Sequence, residues 1–401
     1  MTKAAPVWLV PVAAIFVLQT VSAFLNRFIP IIAPAISAEF GWEGSSVGYL
    51  NASHALGSLV ILLVGSNFMK AVGSMRCVQY SLLLGAACMA LFLHPSLTVA
   101  LVACFLMGSS NGTSTPAGSD VLQRFSPPSK RNLIFSIKQA GVPLGGIIAG
   151  LLIPPLILLS GWRTTIFICA LVMIIPTLMT WKLSAVTDIT AGQTKWKPHL
   201  PDRQTLRTLW VPLSSLTANR KLFDMSVVGL LFAVSQCCWF TFMVVYLIDG
   251  LGYSLGNAGL LFAVMQTGGF IGRIVLGWIS DRLPATMCLS IIGVLSMITT
   301  VLMGASTPLW PTWTMVLLSF LAGGTAASWN GVHIAEIARH SPQDLISETA
   351  AGASILVNVT NMCVPAILAF LVASTQRYDI AFYACGLTTS LVLLFLRRGG
   401  K

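Results

Sequence analysis

The sequence predicts an all-α, polytopic membrane protein with twelve transmembrane helices in two pseudo-symmetric six-helix bundles. Hydrophobic residues make up 56% of the 401 residues and charged residues only 9%, which is far from the average composition of soluble domains. The mean hydropathy is +0.84. The apolar runs are close to the ~20 residues that a helix needs to cross a bilayer, and the cations are concentrated in every second gap between them.

Twelve apolar runs define the predicted spans. They cover residues 8–36, 47–68, 77–94, 97–121, 133–157, 164–183, 224–248, 257–279, 286–305, 311–338, 346–373 and 378–396. Residues 1–183 form the predicted N-terminal six-helix bundle and residues 224–401 the C-terminal one. The polar, proline-containing stretch 184–223 is the predicted cytoplasmic linker between them.

The distribution of cations predicts the orientation of the chain. Of the 23 Lys and Arg residues, 18 lie on one side of the predicted membrane, Arg163 and Arg377 lie on the other, and Arg27, Lys138 and Arg273 lie inside apolar runs. The positive-inside rule makes the crowded side cytoplasmic, with both termini on it, and we expect a cell (inner) membrane location. The net charge of +11 therefore indicates topology and contact with membrane lipids rather than nucleic-acid binding. The N-terminus is interpreted as a first span and not as a removed signal peptide.

Cysteine usage and motif content favour a protein that is not an enzyme. The nine cysteines lie mostly in or beside apolar runs, without CxxC spacing or a neighbouring histidine cluster, which predicts buried free thiols, no metal and no cofactor. The chain has no nucleotide-binding motif, and no nucleophile–base pair stands out, so direct use of ATP is not expected.

The two halves of the sequence carry one pattern twice. Three motif pairs recur in order: Gly41–Gly48 with Gly252–Gly259 at an offset of 211, Gly65–Lys70 with Gly277–Arg282 at 212, and Phe167 with Phe382 at 215. Two parallel six-helix repeats are a transporter architecture, with the binding site near the midplane between them.

A loop motif and a turn motif support the same architecture. The pattern Gly-x-x-x-Asp-Arg is intact after span eight as Gly277, Asp281 and Arg282, whereas after span two Met69 replaces the acid. These motifs and the Gly161-Trp-Arg turn are similar to motifs of the major facilitator superfamily, and the resemblance covers the whole chain. The resemblance implies a gating latch in which a turn at Gly277 presents Asp281 to neighbouring helix ends; alternatively, Arg282 is only a topology charge. We expect the first-half latch to be weak or replaced by other contacts.

Arg273 is the principal candidate for substrate binding. Gln266 precedes it by seven residues on the same helical face. The string from Gly272 to Arg282 is similar to that of the oxalate and monocarboxylate transporters of the superfamily, in which an Arg at a similar place binds the substrate carboxylate. The alternative is that Arg273 snorkels to the cytoplasmic interface.

Six further residues complete the predicted substrate site. They are Lys138 in span five, Arg27 in span one, Gln236 and Trp239 in span seven, and Asn358 and Asn361 in span eleven. Lys138 is near enough to a span end to snorkel, and Arg27 alternatively forms a structural pair with Glu39 or Glu43. Alternatively, the residues on these faces of spans seven and eleven only pack against neighbouring helices.

Five titratable side chains are candidates for proton coupling: His54, His333, Glu336, Glu348 and Asp120. A single histidine in a helix is alternatively a hydrogen-bonded packing residue, and Glu336 or His333 is alternatively a gate partner of Arg282.

The sequence thus predicts a monomeric secondary active transporter that moves a small organic anion, a carboxylate, by alternating access with proton symport. The alternative is a proton-driven efflux antiporter for drugs or metabolites. Its support is the strip of Gly141 and Gly145, which resembles the Gly-Pro-x-x-Gly-Gly signature of drug antiporters with the proline one place late, at Pro143. A non-transporting sensor is disfavoured, because no additional signalling domain follows.

Overall fold

The computed structural model describes residues 8–64, 66–112, 114–127, 131–188, 211–280, 282–342 and 345–398. Every regular secondary-structure element in these ranges is helical. This confirms the all-α class, which follows from the need of a chain in hydrocarbon to satisfy its backbone hydrogen bonds within each segment.

The first half contains eight α-helices. They are α1 Leu9–Phe40, α2 Ser46–Val64, α3 Ser66–Val72, α4 Ser74–Met89, α5 Leu97–Gly112, α6 Ser114–Phe125, α7 Arg131–Met179 and α8 Ser184–Thr187. Short 3₁₀ segments follow α4 at Ala90–Leu93 and α7 at Trp181–Leu183.

The second half begins with helical residues 211–215 and continues with eight further helices. They are α9 Arg220–Val245, α10 Leu255–Ser280, α11 Ala285–Gly304, α12 Thr312–Ala326, α13 Asn330–His340, α14 Ile346–Thr375, α15 Tyr378–Ser390 and α16 Val392–Arg398. A π-helical turn, Tyr246–Gly250, extends α9.

Each of the twelve predicted spans coincides with helix over most of its length. Spans five and six form the single element α7, which Gly161 divides because its φ of 77° is not helical. In the described residues, ten helices are long and apolar enough to cross a membrane, and Ser46–Leu62 is a shorter apolar helix. The multi-pass architecture is therefore confirmed, while the count of twelve crossings stays a prediction.

The chain divides into two compact units. The first contains Met1–Ile29 and Leu56–Asp202, and the second contains Pro30–Ala55 and Arg203–Lys401. Both α1 and α2 consequently contribute residues to each unit. The division of the sequence into bundles at 184–223 stays a prediction.

In the first unit, α2 and α5 approach until their backbones touch. A Cβ atom on Gly57 would collide with the carbonyl of Phe105 and the backbone nitrogen of Ser109. Ser109 Oγ donates a hydrogen bond to the Gly57 carbonyl at 3.3 Å, and Ser58 Oγ donates to the Gly108 carbonyl at 2.9 Å. Small residues permit this close approach, which drives helix association where lipid is as apolar as the side chains.

The second unit repeats this contact between α10 and α12. A Cβ atom on Gly268 would collide with the carbonyl of Phe320. Gly268 lies 211 residues after Gly57, and Phe320 lies 215 residues after Phe105. Two pairs of equivalent glycines and carbonyls therefore meet in the same way, which confirms the internal repeat at the level of packing.

Backbone conformation repeats as well. Gly41 and Gly252, at corresponding places after the first span of each half, have φ values of 69° and 73°. Gly161 and Gln376 have φ values of 77° and 54°. They are 215 residues apart, which is also the offset between Phe167 and Phe382. Residues with positive φ end a helix and redirect the chain, so both halves turn at equivalent positions.

We expect Gly57→Ala and Gly268→Ala to destabilise the protein to a similar extent. Each new methyl group meets a backbone carbonyl that cannot rotate away, and overpacking of this kind typically costs roughly 1–3 kcal/mol. Gly331→Ala is the matched control, because a Cβ atom there meets open space. Thermal unfolding of the purified variants in detergent measures the effect. Unchanged melting temperatures for both test variants would contradict the backbone contacts.

Candidate functional site

Arg273 lies on α10 at an interruption between two helices. Its side chain is partly buried, and Nη2 donates a hydrogen bond of 3.3 Å to the carbonyl of Ala327. Ala327 follows the last residue of α12, and α13 begins only at Asn330. Carbonyls at a helix C-terminus lack partners within the helix and carry partial negative charge. The guanidinium therefore lies at the C-terminal end of α12, inside the protein.

Gln266 lies two turns before Arg273 on the same helix. Its side chain is only 3% exposed, and Nε2 has no hydrogen-bond partner among the described residues. Between the two side chains, a Cβ atom on Gly269 would lie 3.6 Å from Ala327 Cβ and from the Gly323 carbonyl. The face that carries Gln266 and Arg273 thus borders the interruption after α12. An unsatisfied buried amide costs roughly 1–3 kcal/mol, so Gln266 is a polar group that a ligand can stabilise.

Lys138 lies on α7 in the first unit and is 3% exposed. Its Nζ donates a hydrogen bond of 2.7 Å to Ser119 Oγ on α6, and its side chain packs beside Gly118. The ammonium group is therefore held inside the unit by a neighbouring helix. The structure does not place it at the surface, which snorkelling requires.

Sequence reasoning missed a polar network in the same unit. Ser22 Oγ donates to Asn111 Oδ1, and Asn111 Nδ2 donates to Asn26 Oδ1 at 3.0 Å. Arg27, the neighbour of Asn26 in α1, is partly buried. The signal in the sequence was the run of Gly, Ser, Thr and Asn at 108–115, which is unusually polar for a predicted span.

The predicted residues of spans seven and eleven make packing contacts. Trp239 Nε1 donates to Thr300 Oγ1 at 3.0 Å, and its ring meets the Phe382 ring edge-on at 5.5 Å. The Cys237 thiol donates to Asn361 Oδ1 at 2.8 Å. Gln236 is buried and Asn358 partly buried. In this structure Trp239 is therefore buried and supports helix packing.

Two of the proton-coupling candidates lie together on α13. His333 is buried, with Nε2 2.9 Å from the Met225 carbonyl and its ring against Gly229. Glu336, one turn later, is also buried, and its Oε1 lies 3.0 Å from His340 Nε2. His54 is buried in α2, whereas the side chain of Glu348 lies outside the described residues.

Asp120 forms part of an ionic cluster in the first unit. Its carboxylate accepts hydrogen bonds from Ser74 Oγ and from Arg124 Nη2. Arg124 Nη1 in turn donates to the Thr187 carbonyl at 2.9 Å. These contacts connect α6 to the start of α4 and to α8, so the geometry gives Asp120 a structural role, and its role in proton coupling stays a prediction.

The predicted turn at Gly277 is wrong. Helix α10 continues through Gly277 to Ser280, and Gly277 is exposed with open space at its Cβ position. Glycine weakens a helix interior by only about 1 kcal/mol, which the apolar neighbours in a membrane segment readily offset. Arg282 places its guanidinium 3.6 Å from the centroid of the Trp278 ring, and Asp281 lies outside the described residues.

In the first half, another acid binds near the place where Met69 replaces the expected one. Asp188, directly after α8, accepts hydrogen bonds from the backbone nitrogens of Met75 at 3.0 Å and Arg76 at 2.9 Å. A carboxylate at a helix N-terminus satisfies donors that the helix leaves open and interacts favourably with its dipole. Asp188 therefore caps α4, and the fate of the first-half latch stays a prediction.

A cavity of about 690 Å³ lies elsewhere in the second unit. Its walls include Glu43, Asp249, Arg377 and Tyr378, and the Tyr378 hydroxyl donates to Asp249 Oδ2 at 3.1 Å. None of the predicted substrate residues borders it. The binding chemistry is therefore assigned from the buried cations and not from cavity size.

A sequence model of the Major Facilitator Superfamily matches residues 15–342. Because this match covers most of the chain, the protein belongs to the Major Facilitator Superfamily, a family of multi-pass membrane proteins. The resemblance found in the motifs is thereby confirmed.

Several characterised and uncharacterised relatives are similar in sequence. The chain is 24% identical over 282 residues to an uncharacterized MFS-type transporter of Mycobacterium tuberculosis, covering 70% of this chain and 60% of that protein. It is 24% identical over 304 residues to the 4-hydroxybenzoate transporter PcaK of Acinetobacter baylyi, covering 69% and 65%. It is 22% identical over 395 residues to the probable sulfoacetate transporter SauU of Cupriavidus necator, covering 91% and 87%. The matches to the first two span less than two thirds of those proteins.

A solved structure of the nucleoside transporter NupG has the same fold. Its TM-score is 0.79 at 13% identity, and the match covers 98% of this chain and 100% of that one. This relation concerns the fold alone. The relatives and NupG are all named as transporters, which agrees with the prediction that the chain is not an enzyme.

We expect Asp120→Asn and Arg124→Gln to lower the melting temperature and to show coupling in a double-mutant cycle. The pair is partly exposed, so the coupling should be roughly 0.2–1 kcal/mol. Uptake measured against external pH separates this role from proton coupling. A pH profile altered in Asp120→Asn but not in Arg124→Gln would contradict a purely structural ion pair.

Proposed function

We propose that the protein is a secondary active transporter that moves a small organic anion, a carboxylate, by alternating access. The observation that carries the proposal is a guanidinium inside a membrane-spanning helix, Arg273, with the buried amide of Gln266 on the same face. An ionisable residue within a membrane segment is expensive and marks a substrate or ion pathway by default. The names of PcaK and SauU, a 4-hydroxybenzoate and a probable sulfoacetate transporter, support an organic anion.

The geometry at Arg273 suits a carboxylate in particular. A guanidinium is planar and stays charged, and its fork can donate two parallel hydrogen bonds to the two oxygens of a carboxylate. The bond from Nη2 to the Ala327 carbonyl holds the guanidinium at the end of α12. Gln266 is about 10 Å away along the helix axis at 1.5 Å per residue, so its amide can contact the opposite end of an elongated substrate.

Proton symport is part of the proposal. His333 and Glu336 lie one turn apart and are both buried, which makes them the best-placed proton carriers among the candidates. Asp281 and Arg282 remain the proposed gating pair after α10. We further propose a monomer in the cell (inner) membrane with both termini cytoplasmic, as the distribution of cations predicts.

The efflux alternative loses part of its support. A Cβ atom on Gly141 would meet Thr20 Oγ1, and one on Gly145 would meet the Thr20 carbonyl and Phe24 nitrogen. The glycine strip of span five therefore has a packing role against α1, which requires no drug-binding function.

We expect Arg273→Lys to weaken substrate affinity by about tenfold or more. Lysine keeps the charge but loses the fork, and a charge-assisted hydrogen bond contributes roughly 1.5–3 kcal/mol. Uptake of a carboxylate panel of labelled acetate, oxalate, benzoate, 4-hydroxybenzoate and glucuronate into proteoliposomes provides the affinity. Arg163→Lys is the control, because that exposed guanidinium stacks on Trp162 and has no proposed substrate or gating role. Wild-type affinity in Arg273→Lys would remove the carboxylate anchor, and accumulation of cationic dyes would favour the efflux alternative.

We expect uptake to accelerate when an inward proton gradient is imposed and to slow when an ionophore dissipates it. Glu336→Gln, which cannot titrate, should abolish this response while exchange of labelled for unlabelled substrate continues. Uptake rates that change with neither the gradient nor the ionophore would indicate uniport or anion exchange. His333 and Glu336 would then have no proton-carrying role.

A further inference from the structure

Polar side chains of α1, α5 and α6 lie in the first unit, and Lys138 bonds to a residue of α6. Gln19, Ser22 and Asn26 follow i, i+3 and i+7 spacing and so share one face of α1. Asn111 and Ser114 lie on the neighbouring span. Together with Lys138 these residues are the polar seam.

Contacts between the helices show that the two sides of the polar seam meet. At one end, Asn111 bonds with Ser22 and Asn26 across α1 and α5. In the middle, Gln19, Ser114 and Gly118 border a narrow crevice with Ile15, Leu18 and Val78. At the other end, Lys138 bonds to Ser119 and packs beside Gly118.

Ser114 is the exceptional member of the seam. It is 3% exposed, and its Oγ has no hydrogen-bond partner among the described residues. Ser110, four residues earlier, is equally buried at 3% but donates to the Met107 carbonyl at 2.6 Å. Helical serines ordinarily satisfy their hydroxyl in this way. The Ser114 hydroxyl is instead left on the wall of the crevice.

We propose that the polar seam is an anion-binding subsite for the carboxylate of the transported substrate, distinct from the Arg273 site. Lys138 supplies the positive charge, the Ser114 hydroxyl and Asn111 amide supply hydrogen-bond donors, and Gln19 completes the wall. A lysine ammonium accepts an oxyanion in several orientations, since it acts as a point charge without a fixed fork. This inference rests on the proposed function and extends it to a second group of residues.

The crevice does not admit a water-sized sphere in this conformation, so the subsite is closed here. Its occupant enters when the helices beside Ser114 separate. All residues that border the crevice belong to the first unit, so its opening is a movement of helices within that unit.

The test compares Ser114→Ala with Ser110→Ala, which removes an equally buried but satisfied hydroxyl from the same span. For the carboxylate of the panel that the wild type takes up fastest, we expect KM to rise about tenfold in Ser114→Ala and to stay unchanged in Ser110→Ala. The melting temperature of Ser114→Ala without substrate should equal or exceed that of the wild type, because the change removes an unsatisfied hydroxyl. Lys138→Arg, which keeps the charge, should retain more transport than Lys138→Met at equal expression.

A lower melting temperature with unchanged KM in Ser114→Ala would overturn the subsite and leave ordinary helix packing. Equal KM changes in the two serine variants would overturn it as well. If the wild type transports no member of the panel, the proposed function fails. The shift in melting temperature on adding a carboxylate then tests separately whether the subsite binds an anion. Stabilisation of the wild type and Ser110→Ala by millimolar benzoate, but not of Ser114→Ala, would support it, and no stabilisation of any of them would overturn it.

Discussion

Hydrocarbon offers no hydrogen-bond partner, and every other feature of this protein follows from that constraint. The backbone satisfies itself in helices, and each polar side chain within a span must find its partner in another part of the protein. Arg273 uses the Ala327 carbonyl, which the end of α12 leaves available, and Lys138 uses the Ser119 hydroxyl. The interruption between α12 and α13 and the cation beside it thus form one structural feature. The interruption supplies a free carbonyl acceptor, and Arg273 supplies the donor that the carbonyl lacks.

The same constraint explains how the helices associate. Lipid is as apolar as leucine, so helices gain little by burying apolar side chains against each other and depend on close packing. Gly57 against the Phe105 carbonyl and Gly268 against the Phe320 carbonyl are two copies of such a contact. Their repetition shows that the duplicated sequence preserved a packing geometry, and not only the lengths of the spans.

A few buried side chains keep a hydrogen-bond donor that packing does not use. Most helical serines and threonines in the described residues return their hydroxyl to their own backbone, as Thr177 does to the Met173 carbonyl at 2.7 Å. Ser114 and Gln266 retain a buried donor without a partner among the described residues. Each lies on the span face or seam that also carries a cation, Lys138 in the first unit and Arg273 in the second. Charge together with unsatisfied donors is the combination that a small oxyanion stabilises.

The sequence by itself determined the helical, multi-pass class, the internal repeat and the positions of cations within apolar runs. Hydropathy is a local property, and a segment that satisfies its own backbone needs no information from distant residues. The sequence did not show that α10 continues through Gly277, because glycine is compatible with both a turn and a helix. Nor did it show that Asp188 caps α4 from 113 residues away, or that Ser22 meets Asn111 across 89 residues. Those pairings depend on which helices become neighbours, and only the tertiary structure decides that.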